Sequence, residues 1–274
     1  MVIVMNYLIY ILLGIIQGFT EPLPISSSGH LVLFKNLFNT NMLNDVNFEI
    51  VVNFGSFVAI FLIFWKDIWK LLTSFFGYIF QKKKRKEYAK DFKYCLLILI
   101  GSVPVGIAGL LFKDKVDAWS GNMTLLGISF MITAFMLFLV RKCNGKKDDH
   151  DITYKDAILI GLLQMIALIP GISRSGTVLV GCLLCKISRK ASLKYTFMLY
   201  LPVSVASMGL GIFDLLESGN LTSLFIPYTL GLIAAGVVTY FSYRWLSKLV
   251  QNGKLWKFSI YCFFLSLFVL FYFR

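Results

Sequence analysis

Two stretches of the chain are imperfect copies of each other, and each interrupts an apolar run with groups that hydrocarbon does not tolerate. Residues 14–30 read GIIQGFTEPLPISSSGH and residues 161–176 read GLLQMIALIPGISRSG. Aligned without a gap, Gly14 meets Gly161, Gln17 meets Gln164 and Pro24 meets Gly171. Ser26 then meets Ser173, Ser27 meets Arg174, Ser28 meets Ser175 and Gly29 meets Gly176, at a constant offset of 147 residues (171 − 24). An internal repeat makes each copy one half of a common architecture. The ionisable residues inside the copies demand protein or water around them.

The setting of the repeat is a membrane. Of 274 residues, 58% are apolar and only 15% charged, with a mean hydropathy of +0.76. A soluble domain of this length carries more surface charge. The apolar residues fall in runs that match the roughly 20 residues needed to cross a bilayer. Spanning backbone must satisfy its own hydrogen bonds there, so the runs are expected to be helices. The net charge of +13 is not a nucleic-acid footprint, because its groups sit between apolar runs. Seven Lys and Arg lie in residues 81–93, with further clusters at 141–155, 186–194 and 244–257. That is the pattern of loops held on the cytoplasmic side. The KKKRK run at 82–86 reads as a membrane anchor rather than a nuclear or nucleic-acid signal. Cys182 and Cys185 have CxxC spacing, but no second pair completes a zinc site, and the five cysteines read as apolar filler. The first twelve residues lack the basic start and cleavage site of a signal peptide and are expected to stay in the mature chain.

Along the chain, an apolar helix over 7–16 is stopped by Pro22 and Pro24, and a second short helix resumes over 26–38. The pair reads as a re-entrant hairpin over 7–38, since irregular backbone at membrane depth needs protein or a water-filled cavity around it. A polar stretch at 39–45 follows. Spans are predicted at 46–65 (carrying Glu49 and Asn53), 94–112, 123–140, 195–213, 224–243 and 255–273. A second broken hairpin covers 156–185, hinged at Pro170 and Gly171. With the basic loops inside, 113–122 and 214–222 fall outside, with Asp214 and Glu217 marking the latter turn. Three spans separate the hairpins, so they enter from opposite faces and both termini lie outside. The expected fold is an all-α integral membrane protein of six transmembrane helices plus two re-entrant helical hairpins, in an inverted-topology internal repeat. It forms a single membrane domain, with repeats at about 1–140 and 150–274. The same charges fit a chain whose hairpins are true spans, but prolines and serines would then sit unaided in lipid.

Serine-capped helix starts rich in glycine present free amides to an anion. Ser26, Ser28 and Gly29 in the first copy, with Gly171, Ser173, Ser175 and Gly176 in the second, are therefore candidate binding residues. Arg174 adds a permanently charged fork matched to phosphate oxygens. Two such half-sites suit a phosphate or pyrophosphate. Ser27 and His30 stand three apart on one helix and can share a face. A hydroxyl needs an adjacent base to attack. Glu21 is placed to act as that base, to orient His30 or to hold a divalent cation, for which Mg²⁺ typically uses one or two carboxylates plus substrate phosphates. Gln17 and Gln164 could simply bond across their hairpins, and Glu49 could join the pocket or reach interfacial water. His150, in an Asp-rich loop, reads as solvated, and the five tryptophans read as an interfacial belt.

At LLGIIQGFTEPLPISSSGHLVL and PGISRSG the chain resembles the undecaprenyl-pyrophosphate phosphatase, or bacitracin-resistance, family, and span pattern and length extend the likeness over essentially the whole chain. The resemblance implies a bacterial plasma-membrane enzyme with its pocket open to the outer face. It implies removal of the terminal phosphate from the C55 polyprenyl pyrophosphate, recycling the wall-polymer lipid carrier, with a divalent cation (Mg²⁺ or Ca²⁺) and no nucleic acid. Carried over by position, the family's (E/Q)xxxE pattern falls on Gln17 and Glu21, its serine-histidine segment on Ser26 to His30 and its arginine on Arg174. Gln17 is the neutral variant of its position, and Pro22 stands where an aromatic is more usual. The expected catalytic residues are Glu21, Ser27, His30 and Arg174, with Glu21 and Gln17 toward the metal. Whether Ser27, His30 or an activated water attacks is left open, as is a homodimer. A polyprenyl-phosphate flippase using the same clamp is the rival reading. Lipid phosphatases of the acid-phosphatase type are set aside for want of a second catalytic histidine.

Overall fold

A computed structural model describes residues 2–38, 46–217 and 225–274, and among these the regular structure is helical throughout. The polar stretch 39–45 and most of the expected turn at 214–222 lie outside the described residues. The first broken pair is α1 (Val2–Thr20) and α2 (Ser27–Phe38). Then come α3 (Val46–Phe80), α4 (Arg85–Leu111), the short α5 (Lys113–Trp119) and α6 (Met123–Leu139). The second broken pair is α7 (Tyr154–Ile166) and α8 (Arg174–Leu184), followed by α9 (Arg189–Glu217), α10 (Phe225–Gln251) and α11 (Trp256–Tyr272). Helical stretches at Phe48–Phe80, Lys82–Leu111 and Phe225–Gln251 are long and apolar enough to cross a membrane, and α6, α8, α11 and most of α1 are shorter apolar helices. Large apolar side chains such as Leu62, Leu111, Phe241, Phe264 and Phe271 point outward. Water would not tolerate so much apolar surface, and lipid does.

Several helices overrun the predicted spans. α3 continues fifteen residues beyond 65, α4 begins inside the basic run at Arg85, α9 starts at Arg189 and α10 continues to Gln251. The charged runs mark where hydrocarbon ends rather than where helix ends, because Lys, Arg, Glu and Ala are good helix formers in water. Asp214 and Glu217 likewise fall within α9 rather than in a turn, and 113–119 is helical. At 35 residues α3 is about 50 Å long, well beyond a hydrocarbon core of about 30 Å.

Small residues set the packing. Gly14 and Gly18 of α1 face Gly231 and Ala235 of α10, two small-xxx-small patterns in register, and a Cβ on either glycine would collide with the opposing carbonyl. In the other half, Gly161 of α7 meets Gly101 of α4, where a Cβ would stand 2.6 Å from the carbonyl oxygen. α6 and α11 run against each other, Ser259 Oγ donating to the Ala134 carbonyl at 2.7 Å and Ser266 Oγ to the Gly127 carbonyl at 2.6 Å. The largest core cluster surrounds α8 and the start of α9 and includes Tyr195, whose hydroxyl donates to the Leu97 carbonyl at 2.7 Å.

Candidate active site

The two interrupted segments bring their tips together. Pro22 cannot donate to the Gly18 carbonyl, so that acceptor is orphaned within α1. Thr239 of α10 supplies the missing donor at 3.1 Å, and Ser242 donates to the next carbonyl, Phe19, at 2.7 Å. The hinge therefore needs no water at that end. The chain re-enters helix at Ser26, which adopts φ +69°, and Ser26 Oγ accepts the Gly29 amide at 3.3 Å. Ser173 caps α8 in the same manner, accepting the Gly176 amide at 3.0 Å, and Gly171 before it takes φ +93°. The backbone around Gly171 is pinned by Thr133, which donates to its carbonyl at 3.5 Å and accepts the Ser173 amide at 3.3 Å.

Contacts across the two tips are direct. Ser175 Oγ donates to the Leu23 carbonyl at 3.0 Å. A Cβ on Gly29 would lie 3.0 Å from Gly171 Cα, and one on Gly176 would lie 3.3 Å from Pro24 Cβ. Gly29 and Gly171 are thus close-approach positions, and only hydrogen fits at either. The amides of Ser27 and Ser28, and of Arg174 and Ser175, occupy first-turn positions without an intrahelical acceptor.

Glu21 is the hub. Its side chain is 4% exposed, yet it is fully engaged: Arg174 Nη2 donates to Oε1 at 3.3 Å, while Gln17 Nε2, at 2.9 Å, and Ser27 Oγ donate to Oε2. Gln17 also donates to Asn53 Oδ1, so both bonds of its Nε2 go to oxygens and its own Oε1 is left buried without a partner. The guanidinium of Arg174 lies 5.3 Å from the centre of the buried Tyr200 ring, a cation–π contact. One half of the chain therefore supplies the carboxylate and the hydroxyl, and the other supplies the cation. The chain belongs to the bacitracin resistance protein BacA family. The family model matches residues 10–268. Similar curated proteins include undecaprenyl-diphosphatase 2 of Bacillus thuringiensis strain Al Hakam, 42% identical over 254 residues, covering 92% of this chain and 93% of that protein. Undecaprenyl-diphosphatase 1 of Bacillus licheniformis is 39% identical over 262 residues, 95% and 96% of the two chains. The undecaprenyl-diphosphatase of Oceanobacillus iheyensis is 38% identical over 263 residues, 95% and 94%.

Within this BacA family chain, Gln17, Glu21, Ser27 and Arg174 meet as the sequence places them. His30 is nearby in sequence but otherwise engaged: Nδ1 bonds the Ser26 carbonyl and Nε2 bonds the Tyr261 hydroxyl, each at 2.7 Å. Glu49 pairs with Lys35 on α2. Gln164, the repeat mate of Gln17, is buried with both amide atoms unbonded. His150 is exposed, as expected. Asn53, Thr133, Tyr200, Thr239, Ser242 and Tyr261 support the site without any motif to betray them. Each is a polar side chain within an apolar helical run, and that is the one signal that could have drawn attention to them. A cavity of about 480 Å³ runs beside the hinge, lined by Phe19, Leu23, Ile25, His30, Trp245 and Tyr261 among others.

Proposed function

We propose that this chain is an undecaprenyl-diphosphate phosphatase of the bacterial plasma membrane, cleaving the C55 polyprenyl pyrophosphate to the monophosphate and inorganic phosphate. The observation that carries the reading is the Arg174–Glu21–Ser27 junction across the two hairpin tips, in a chain whose relatives bear the diphosphatase name. Arg174 binds the pyrophosphate oxygens through its fork, helped by the first-turn amides of α2 and α8. Ser26, Ser28, Ser173 and Ser175 shape those turns. Ser27 Oγ attacks the terminal phosphorus while its proton passes to Glu21, which already accepts that hydroxyl's bond. The bond from that phosphorus to the bridging oxygen breaks and the polyprenyl monophosphate leaves. Water then attacks the phosphoserine, and the Ser27 oxygen–phosphorus bond breaks as that oxygen takes its proton back from Glu21. The proton lost by the water leaves with inorganic phosphate. The apolar cavity beside the hinge offers the first isoprene units a wall.

A divalent cation belongs to the same reading. Gln17 Oε1 is a buried acceptor without a partner, on the same amide whose Nε2 bonds Glu21, so a spare acceptor and a carboxylate stand on neighbouring side chains. Glu21 and Gln17 would hold Mg²⁺ or Ca²⁺ with the substrate phosphates completing the shell. Such an ion neutralises charge that develops on the phosphoryl oxygens.

The finer architecture belongs to the same reading: six spans and two re-entrant hairpins in inverted repeats of one membrane domain, termini outside, pocket open outward. The reciprocal glycine contacts of α1 on α10 and of α7 on α4 support it. A flippase would need only the clamp and would leave the Ser27–Glu21 bond without use. The deciding measurement is inorganic phosphate release from a long-chain prenyl diphosphate by the purified, detergent-solubilised protein with added Mg²⁺. Release abolished by Ser27→Ala supports the assignment, and turnover that survives intact in Ser27→Ala refutes the nucleophile.

A further inference from the structure

His30 has its proton on Nδ1, because its partner there is the Ser26 carbonyl, which can only accept. A neutral ring then leaves Nε2 as an acceptor, and the Tyr261 hydroxyl of α11 donates to it. The two rings lie 5.7 Å apart and within 9° of parallel, Phe130 closes the edge at 5.4 Å, and His30 is 2% exposed. Among the described residues, both ring nitrogens are committed, and neither to Glu21, Ser27 or Arg174. What the ring does hold is Ser26, a serine in the left-handed region that non-glycine residues avoid. The Ser26 carbonyl receives the His30 ring N–H and the His30 backbone N–H, at 2.7 and 3.2 Å.

The second half of the chain makes the same contact with different chemistry. The repeat offset carries His30 onto Thr177, and Thr177 Oγ1 donates to the Ser173 carbonyl at 2.7 Å. In both halves, then, the side chain four residues after the cap serine returns a hydrogen bond to that serine's carbonyl. A threonine hydroxyl does this for geometry alone. Only the first half has the strained cap and only there is the donor anchored from another helix, since Ser173 takes an ordinary φ of −73°.

We infer that His30 and Tyr261 form a positioning relay, which holds the left-handed Ser26 turn so that Ser27 Oγ stays aimed at Glu21, and that His30 is not a proton carrier in phosphoryl transfer. This rests on the diphosphatase reading, and its test separates the two. His30→Thr copies the donor of the second half and cannot shuttle a proton at neutral pH, whereas His30→Ala removes the donor. With the purified full-length protein, a long-chain prenyl diphosphate and Mg²⁺, His30→Thr is expected to turn over about tenfold faster than His30→Ala. Tyr261→Phe is expected to lower kcat about two- to tenfold, the weight of one neutral hydrogen bond, with KM unchanged. Added to His30→Thr it should cost nothing further, because the relay is already cut. The chain has 2 histidines, so nitrogen-15 spectra of labelled imidazoles give an activity-free readout. The His30 signal should report the Nδ1–H form in the wild type and move in Tyr261→Phe, while that of His150 stays. A folded His30→Thr as inactive as His30→Ala, additive losses in the double variant, or a proton on Nε2 would each overturn the relay. Absence of phosphate release by the wild type would instead overturn the diphosphatase reading and leave the spectra to judge the relay alone.

Discussion

Arg174 and Gln17 show how much a single side chain decides at this depth. A guanidinium offers two parallel N–H bonds, and Lys offers a point charge, so the two are not interchangeable at a bidentate site. Arg174→Lys is expected to keep less than about a tenth of wild-type kcat/KM for the prenyl diphosphate, and Arg174→Ala to fall about a hundredfold or more, the size of loss seen when a transition-state donor is removed. Steady-state phosphate release measures both. Gln17 carries the unpartnered Oε1 on the amide whose Nε2 bonds Glu21. Gln17→Glu turns that neutral acceptor into a carboxylate, so the Mg²⁺ concentration for half-maximal activity should drop about tenfold, whereas Gln17→Leu should raise it. Chelation by EDTA should silence every one of these variants reversibly. The cluster around Glu21 was legible in the sequence because the residues sit on a hinge that prolines and serine caps announce locally. The partners of the His30 ring were not, because three-residue spacing says which face a ring shares and nothing about the tyrosine on α11.

Between residue and fold stands the broken helix. Pro22 removes the donor for Gly18, and the repair comes from Thr239, 221 residues away in sequence. Thr239 is also bonded to Ser56 of α3, so one hydroxyl joins α1, α3 and α10. Thr239→Val keeps the shape and deletes the bond. It is expected to destabilise the protein by about 0.6 to 1.7 kcal/mol, the range for interhelical hydrogen bonds in membranes. A lowered midpoint in a thermal unfolding series in detergent would show it, and an unchanged midpoint would mean the Gly18 carbonyl finds another donor. Gly161→Leu should be harsher, because its Cβ and beyond would meet the Gly101 backbone directly. The hinges themselves could be read from sequence, since proline geometry acts within four residues. The overrun of α3, α4, α9 and α10 past the predicted spans could not, because hydropathy reports the edge of hydrocarbon and helix propensity does not change there.

Across the whole molecule, charge sits where the helices leave the apolar belt. Lys194, in the basic segment that precedes the predicted 195–213 span, bonds Asp67 of α3 at 2.7 Å and Asp149 of the connecting turn at 3.0 Å. Partial burial pulls the pKa of Lys194 down, but its two carboxylate partners outweigh that and hold it above the ordinary value of 10.5. A raised lysine contributes stability that is fully present below pH 10.5 and disappears as pH rises through the folded value. Above pH 10.5 the thermal midpoint of the wild type should therefore fall more steeply than that of Lys194→Met. The proposed sidedness has its own check. A cysteine at Lys83 should be shielded from an impermeant thiol reagent in intact cells and one at Lys115 should be labelled, both in a background without the native cysteines. The reverse pattern would invert the membrane orientation.

From the chain of letters alone came the helical membrane class, the repeat, both hinges, the serine caps and the carboxylate, hydroxyl and guanidinium that gather at them. All of these are written in periodicity, composition or turn chemistry, which act over a few residues or over lengths that hydropathy can count. Tertiary structure alone decided which distant helix satisfies each broken end, why Gly29 and Gly171 must lack side chains, and that the His30 ring turns toward Ser26 and Tyr261. Those outcomes depend on the approach of α10 and α11 to the broken helix ends, and a Thr or Tyr in an apolar helix reads the same whether it faces lipid or a hinge.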